Sequence, residues 1–274
     1  MYNKTLFKDY ASLWKKQEKS FISAKVSYKK VTVPVTEREY VRSLGSWRAT
    51  KKTIPRFNPN VIPYIELSKL QDPGSTILFV GMNPSGADVS WYYKNNGKGD
   101  KVKVYKNMSP YYLAMKNFAE ECLGSLDEKK YYSELDVFGI VQGTQAIIEK
   151  HFLGNPQLYL DMFRLFLRTI VELNPKLIIV TNAFVRRLLM RGNDPKDVLK
   201  NKKYDNFYFN GSIRRYILER DNLYGGYKLV IGDKEFYLYF SCMLSGQRAI
   251  DFGNRENLIW LVRNYLIKKH GMKL

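Results

Sequence analysis

Four short apolar runs, each followed by a polar turn and separated by helix-length segments, constrain this chain more than anything else in it. Ile77–Gly81 reads ILFVG, apolar at nearly every position, as a strand does when both faces of its sheet are covered. Residues 136–141 (DVFGIV), 177–180 (LIIV) and 236–240 read as three further strands. Ser109-Pro110 starts a helix between the first two, with serine as N-cap and proline in the first turn, and that helix stops near Gly124. A second helix carries Met162, Phe163, Leu165, Phe166, Leu167, Ile170 and Val171 and ends before Asn174-Pro175. A short helix through Leu188-Leu189 and a closing helix with Leu258, Ile259, Leu261, Val262, Tyr265 and Leu266 complete the pattern. Strands alternating with helices predict an α/β fold, a central parallel sheet of about four strands flanked by helices. Ligands of such sheets bind outside the carboxyl ends of the strands, so the segments to watch are 81–88, 142–145, 181–183 and 241–248.

Outside that pattern lie two stretches. Residues 1–70 mix Lys, Arg, Tyr and Trp, with Pro55, Pro59 and Pro63 punctuating their end, and are expected to form a basic N-terminal extension packed on the main domain. The main domain is expected to span 71–274, with an insertion near 191–228 rich in Lys, Asn, Gly and Tyr.

Charge then narrows the partner. The 274 residues carry a formal net charge of +19, and residues 1–60 alone hold 14 Lys and Arg against 4 Asp and Glu, a net of +10. More than half the excess therefore sits in about a fifth of the chain. Such a field attracts polyanions, and DNA is the expected partner, because each neutralised phosphate releases counterions. No run approaches the roughly 18 apolar residues of a membrane span, and the opening residues predict no secretory signal. The 2 cysteines, Cys122 and Cys242, lie far apart, which excludes zinc or iron–sulfur sites built on four cysteines. No metal or cofactor is expected, and the setting is expected to be cytoplasmic, at the nucleoid, with the protein a monomer.

The first chemical segment is Gly81-Met82-Asn83-Pro84-Ser85-Gly86, directly after the first strand. Small residues let backbone approach a ligand, and Pro84 stiffens the turn. The amide of Asn83 can hold a water; the alternative is an ordinary Asn-Pro turn at a strand end. A lysine-rich loop follows with Trp91, Tyr92 and Tyr93, which offer rings for a base to stack on or, alternatively, a small local core. Asp88 and Asp136 lie near expected strand ends and are candidate acids, with solvated or capping roles as the alternative.

Gly-Met-Asn-Pro-Ser after a buried strand resembles the first motif of the uracil-DNA glycosylase superfamily, in the version of the mismatch-specific and single-strand-selective branches, which carries Asn rather than Asp. The similarity extends over about 75–268. Ser109-Pro110 resembles a phosphate-contacting segment of that family, and 241–248 (SCMLSGQR) occupies the place of its second motif. The resemblance implies a three-layer sandwich and an enzyme that flips a pyrimidine nucleotide out of DNA and cuts the base–sugar bond. Asn83 would position the attacking water, since an amide is a poor base, and Asp88 joins it as a catalytic candidate. Gly81, Met82, Ser85, Tyr92, Tyr93 and Ser245 are expected at the substrate. Gln142, Gln145 and Asn182 are candidates to read the pyrimidine edge, an amide offering donor and acceptor together; loop capping is the alternative for each. Ser109, Gln247 and Arg248 are expected at DNA. Arg248 resembles the residue that fills the hole left by the flipped base, with a phosphate contact as the alternative.

This chain departs from the family at two places. Many members carry a histidine in the second motif, whereas here only His151 and His270 occur, and neither falls there. The strict uracil enzymes have a bulky tyrosine after the motif proline, where this chain has Ser85. A small residue leaves room for a substituent at the base C5, so the expected substrates include uracil-type and 5-substituted pyrimidines, among them hydroxymethylated or glucosylated cytosine in modified phage DNA. Defence against phage is one expected role and repair another. The rival expectation is a non-catalytic binder of DNA or modified bases on the same fold.

Overall fold

The first apolar run does what its composition demands. In a computed structural model, Ile77–Gly81 forms β3, with all five residues buried. The structure describes residues 56–57, 61–63, 75–82, 110–126, 130–138, 140–141, 156–191, 216–246 and 249–274. Elements in chain order are β1 (Arg56–Phe57), β2 (Val61–Pro63), β3, α1 (Pro110–Leu123), β4 (Tyr132–Asp136), β5 (Ile140–Val141), α2 (Pro156–Leu173), β6 (Leu177–Val180), α3 (Ala183–Arg191), β7 (Tyr216–Asp221), β8 (Gly226–Ile231), β9 (Lys234–Phe240) and α4 (Phe252–His270).

The fold is α/β, and its main sheet is mixed rather than wholly parallel. Its order is β2-β4-β3-β6-β9-β8-β7. β4, β3, β6 and β9 run parallel, as the alternation with helices requires. Beyond β9 the sheet continues antiparallel through β8 and β7, and the three-residue β2 pairs antiparallel with β4 at the other edge. The expected count of about four strands is thus too small. What the sequence conceals is the hairpin chemistry: Gly232-Asp233 makes a two-residue turn between β8 and β9, with Gly232 at φ 63. Residues 216–228, within the stretch expected as an insertion, supply β7 and the start of β8.

The second strand is also displaced from its expected place. It spans Tyr132–Asp136 rather than 136–141, and Ser133, Glu134 and Asp136 are buried in it. Those polar residues make the segment look like a loop. Val137 and Phe138 instead extend the ladder past the strand, their N–H groups donating to the carbonyls of Gly81 at 3.1 Å and Met82 at 2.9 Å. Ile140–Val141 pairs separately with Arg56–Phe57.

Side-chain alternation along the strands builds two cores. Leu78, Val80, Leu135, Ile178, Val180 and Leu238 face α2 and α3, whose Phe163, Phe166, Phe184 and Leu188 are buried against them. Ile77, Phe79, Tyr132, Ile179 and Tyr239 face α1 and α4, which contribute Phe118, Cys122, Val262 and Leu266. α4 is tied to α1 by Arg255, which donates to both carboxylate oxygens of Glu121 at 2.6 Å, and by Arg263 donating to the Glu121 carbonyl at 3.1 Å. Asp251 caps α4 at its start, and Gly271, left-handed at φ 61, closes it.

Between β9 and α4 the core is made of tyrosines. Tyr237 stacks on Tyr265 with centroids 4.2 Å apart, and the Tyr239 hydroxyl donates to the Tyr224 carbonyl at 2.9 Å. Burial pushes the Tyr237 phenol up to about 12, and burial raises Tyr239 and Tyr265 as well. The unfolded chain loses these protons first, near pH 10, so stability present below about pH 10 falls as pH rises toward 12. Urea midpoints are expected to hold to about pH 9 and drop at pH 11. In Tyr237→Phe that drop should be shallower; an equal drop would mean this phenol plays no part in alkaline unfolding.

Candidate functional site

Chain connectivity picks out one edge of the sheet. From β3 the chain passes through α1 to β4 on one side of β3, and then through α2 to β6 on the other side. α1 and α2 pack on opposite faces. The two connections therefore part company above β3 and β6 and leave a crevice at their carboxyl ends, which is where open α/β sheets bind ligands. Gly81 and Met82 emerge on one wall of that crevice, and Thr181 and Asn182 on the other.

Gly81 ends β3 opposite Asp136, the last residue of β4. A side chain at Gly81 would run into the Asp136 carboxylate, and the Tyr111 hydroxyl lies 3.4 Å from the same point. Glycine here is a matter of space. Asp136 is 7% exposed, an acid held almost out of water at the carboxyl end of β4. The sequence marks Asp136 as a strand-end carboxylate and candidate acid, and does not mark Tyr111 at all. The signal for both is the glycine at the end of an otherwise bulky strand, since such a glycine often accompanies the close approach of another group.

Met82, expected at the substrate, is buried in the first core cluster, so its side chain serves the fold while its carbonyl holds Phe138. On the facing wall, the Thr181 hydroxyl donates to the Val80 carbonyl at 3.2 Å. Asn182 caps α3, its Oδ1 accepting from the N–H groups of Phe184 at 2.8 Å and Val185 at 3.2 Å. Capping is the alternative role for Asn182, and it is the one the geometry displays. An amide so engaged still has its N–H2 to donate.

The segment after β9 supplies a third part. The Ser241 N–H donates to the Val180 carbonyl at 2.8 Å, which brings the start of this loop to the end of β6. The Ser241 hydroxyl is buried and has no hydrogen-bond partner among the described residues. Ile250 donates to the Met243 carbonyl at 2.8 Å and Ala249 to the Gly246 carbonyl at 3.1 Å, with Gly246 at φ 87, so the loop doubles back on itself. Ser245 is half-buried within it, beside the buried Leu244. The loop ends on Asp251, whose carboxyl is held below the usual carboxylate range by the hydrogen bonds of Asn254.

Of the residues expected at the site, Gly81, Met82, Asp136, Asn182 and Ser245 are described. Asn83, Ser85, Asp88, Trp91, Tyr92, Tyr93, Ser109, Gln142, Gln145, Gln247 and Arg248 lie outside the described residues. His270 ends α4 at the opposite edge of the sheet, where burial and the nearby Lys176 hold its imidazole below the ordinary value. Among the described residues no group of three or more His, Cys, Asp or Glu side chains is placed to hold a metal ion. Among them, too, no helix is long and apolar enough to cross a membrane. No protein-family model matches the chain, and no curated protein matches it.

Proposed function

We propose that this protein is a DNA glycosylase, which flips out a uracil-type or 5-substituted pyrimidine and hydrolyses its bond to the sugar, on a three-layer sandwich like that of the uracil-DNA glycosylase superfamily. One observation carries the reading: the segment Gly81-Met82-Asn83-Pro84-Ser85 begins at the carboxyl end of the central strand, at the crevice where the chain connections part. A motif of that kind in a surface turn far from the crevice would carry no such weight. The basic surplus of +19 supports DNA as the partner.

In this reading the duplex or single strand binds over the carboxyl edge, and unstacking the target nucleotide costs a few kcal/mol. Asn83 orients a water toward the sugar C1′ as the C–N bond lengthens and the sugar takes on oxocarbenium character. The bond pair leaves with the base, whose charge is met by fixed N–H and O–H donors of the turns around the crevice. The Ser241 hydroxyl at the end of β9 suits that task, being buried and unengaged among the described residues. Ser85 leaves the C5 side of the base open. Modified phage DNA and damaged cellular DNA are both substrates such a site accommodates. A monomer at the nucleoid suffices, because one face engages the DNA.

The test is an abasic-site assay on oligonucleotides holding uracil, thymine opposite guanine, 5-hydroxymethyluracil, 5-hydroxymethylcytosine or its glucosylated form. Wild type is expected to leave alkali-labile breaks, and Asn83→Ala to cut at least about a hundredfold more slowly, as losses of positioning do. Binding without breaks on every substrate would replace the enzyme by a non-catalytic binder on the same fold.

A further inference from the structure

We propose that a row of two arginines and two aromatic rings, laid across α3, β9, β8 and β7, grips the phosphate backbone of a DNA strand running away from the crevice. It rests on DNA being the partner in the reading above, and it holds whether or not a base is cut.

Register builds the row. Phe240 closes β9 beside Val180, the last residue of β6, so its ring stands at the carboxyl edge of the sheet. The Arg186 guanidinium of α3 lies over that ring, 5.6 Å from its centroid. Tyr227 of β8 meets Phe240 edge-on at 5.0 Å, and Arg220 of β7 is the cross-strand partner of Tyr227. Antiparallel pairing brings the end of β7 and the start of β8 to the edge where β9 ends. Strand side chains alternate, so Arg220 shares the face of Tyr216 and Leu218, on which α2 and α3 pack. Neighbouring strands lie about 4.8 Å apart, and the row covers roughly 10 Å from β9 to β7.

Charge selects the ligand. Both arginines are exposed, while Phe240 and Tyr227 are half-buried. Neither arginine has an ion pair among the described residues. The acids of β7, Glu219 and Asp221, take the opposite face by the same alternation, and Asp221 is committed to the turn, accepting from the Leu223 N–H at 2.7 Å. The α3 sequence, AFVRRLLMR, holds three arginines and no acid. A guanidinium keeps its charge at any ordinary pH, and one laid on a ring is held in a plane with its N–H fork free at the rim. Such a fork matches the paired oxygens of a phosphodiester. Phosphates of a duplex strand advance about 3.4 Å along the axis per nucleotide, so a row of roughly 10 Å meets about three of them. The row begins one strand beyond β6, a wall of the crevice, and leads away from it. A strand bound along it leaves the crevice free for the target nucleotide.

Binding of a fluorescein-labelled duplex with no modified base should be followed as salt rises from about 0.05 to 0.2 M. Each arginine on a phosphate adds about −0.9 to the slope of log K against log salt. Arg186→Gln and Arg220→Gln should therefore each flatten the slope by about 0.9, and the double variant by about 1.8. At about 0.15 M salt one such contact is worth about fivefold in affinity, so the double variant should bind about twenty-five-fold more weakly. Arg186→Lys and Arg220→Lys keep the charge and should keep the slope. Arg168→Gln is the control: this exposed arginine of α2 is paired with Glu172 at 3.1 Å near the amino edge, and its loss should leave the slope unchanged. A wild-type slope in the double Gln variant overturns the proposal and leaves DNA bound through other residues. A slope lost equally in the Lys variants also overturns it, since shape and not charge would then be at stake. Wild type that binds no duplex at about 0.05 M salt removes the proposal and the DNA reading together. The expected slopes without cutting of any base support the row and remove only the enzyme.

Discussion

Replacing Gly81 with Val is expected to destabilise the protein by about 1–3 kcal/mol and, on the proposed glycosylase reading, to abolish base excision at temperatures where the variant remains folded. The strand around Gly81 is buried throughout, and its neighbours β4 and β6 are paired to it by parallel ladders, so the backbone has nowhere to retreat. The new side chain meets the Asp136 carboxylate first and the Tyr111 hydroxyl next. A carboxylate is a movable obstacle, and that determines the form of the result. Stability should be lost in part, because Asp136 and α1 shift to make room, while activity should be lost almost wholly, because those shifts disturb the carboxyl end of β3, where Gly81 and Met82 lead into Asn83. Thermal unfolding and the abasic-site assay read the two effects separately. For a domain of this size each kcal/mol moves the melting temperature by roughly 2–4 °C. A double-mutant cycle of Gly81→Ala with Asp136→Ala sharpens the argument: removing the obstacle should restore most of the stability lost in Gly81→Ala and none of the cutting. A Gly81→Val protein that cuts as well as wild type would remove this edge of the sheet from the chemistry.

What the sequence discloses, and what it hides, follows from how each element is buried. β3 and β6 are covered on both faces, and their unbroken apolar runs announce them. α1 and α2 stop where Gly124, and Asn174 before Pro175, say they should, with Asn174 in the left-handed region at φ 45. β4 falls outside its expected range because it carries Ser133, Glu134 and Asp136, which an apolar-run criterion treats as loop. Burying an acid on a central strand is costly, and nothing local in YSELD signals that the fold accepts it. β7 escapes sequence reading for another reason. It alternates buried and exposed positions as Tyr216, Ile217, Leu218 and Glu219 do, and Ile217 is 51% exposed. An edge strand with apolar residues on its open face has no clean period to read.

The site divides along the same line. Gly81 is legible because a glycine closing a bulky buried strand usually makes room for a neighbouring group. Its partner Asp136 lies 55 positions later, and only the parallel register of β3 with β4 brings the two to one level. Asn182 is legible as a polar residue after a strand, but its side-chain carbonyl faces two N–H groups of α3, a local cap that any Asn before a helix can form. Ser241 does not stand out inside SCMLSGQR. Its interest arises from a hydroxyl that is buried without a partner among the described residues, and that is a property of the packing alone.

Phe79→Ala should have the largest effect on stability of any single truncation near this edge, about 3–5 kcal/mol. Phe79 is fully buried in the middle of the central strand, opposite Glu134 on one side and Ile179 on the other. Its ring meets Phe118 of α1 edge-on at 6.0 Å and Tyr132 of β4 edge-on at 5.6 Å. Truncation removes both ring contacts and leaves a cavity walled by a sheet, which cannot collapse as a helix pair can. Against a total stability of about 5–15 kcal/mol, a loss of that size leaves a marginal fold. Urea titration should show a lower midpoint with an unchanged slope. Phe252→Ala is the control: that ring is 77% exposed at the start of α4, and its loss should change stability by less than about 0.5 kcal/mol. The consequence for the site follows from the same contacts. Phe118 seats α1 on β3, and α1 carries Tyr111 to the point where it crowds Gly81 and Asp136. With Phe79 gone, that helix loses its anchor one layer below the crevice, so excision by the folded fraction should slow as well. A Phe79→Ala protein with a wild-type midpoint would mean that α1 is held over β3 by something other than this core.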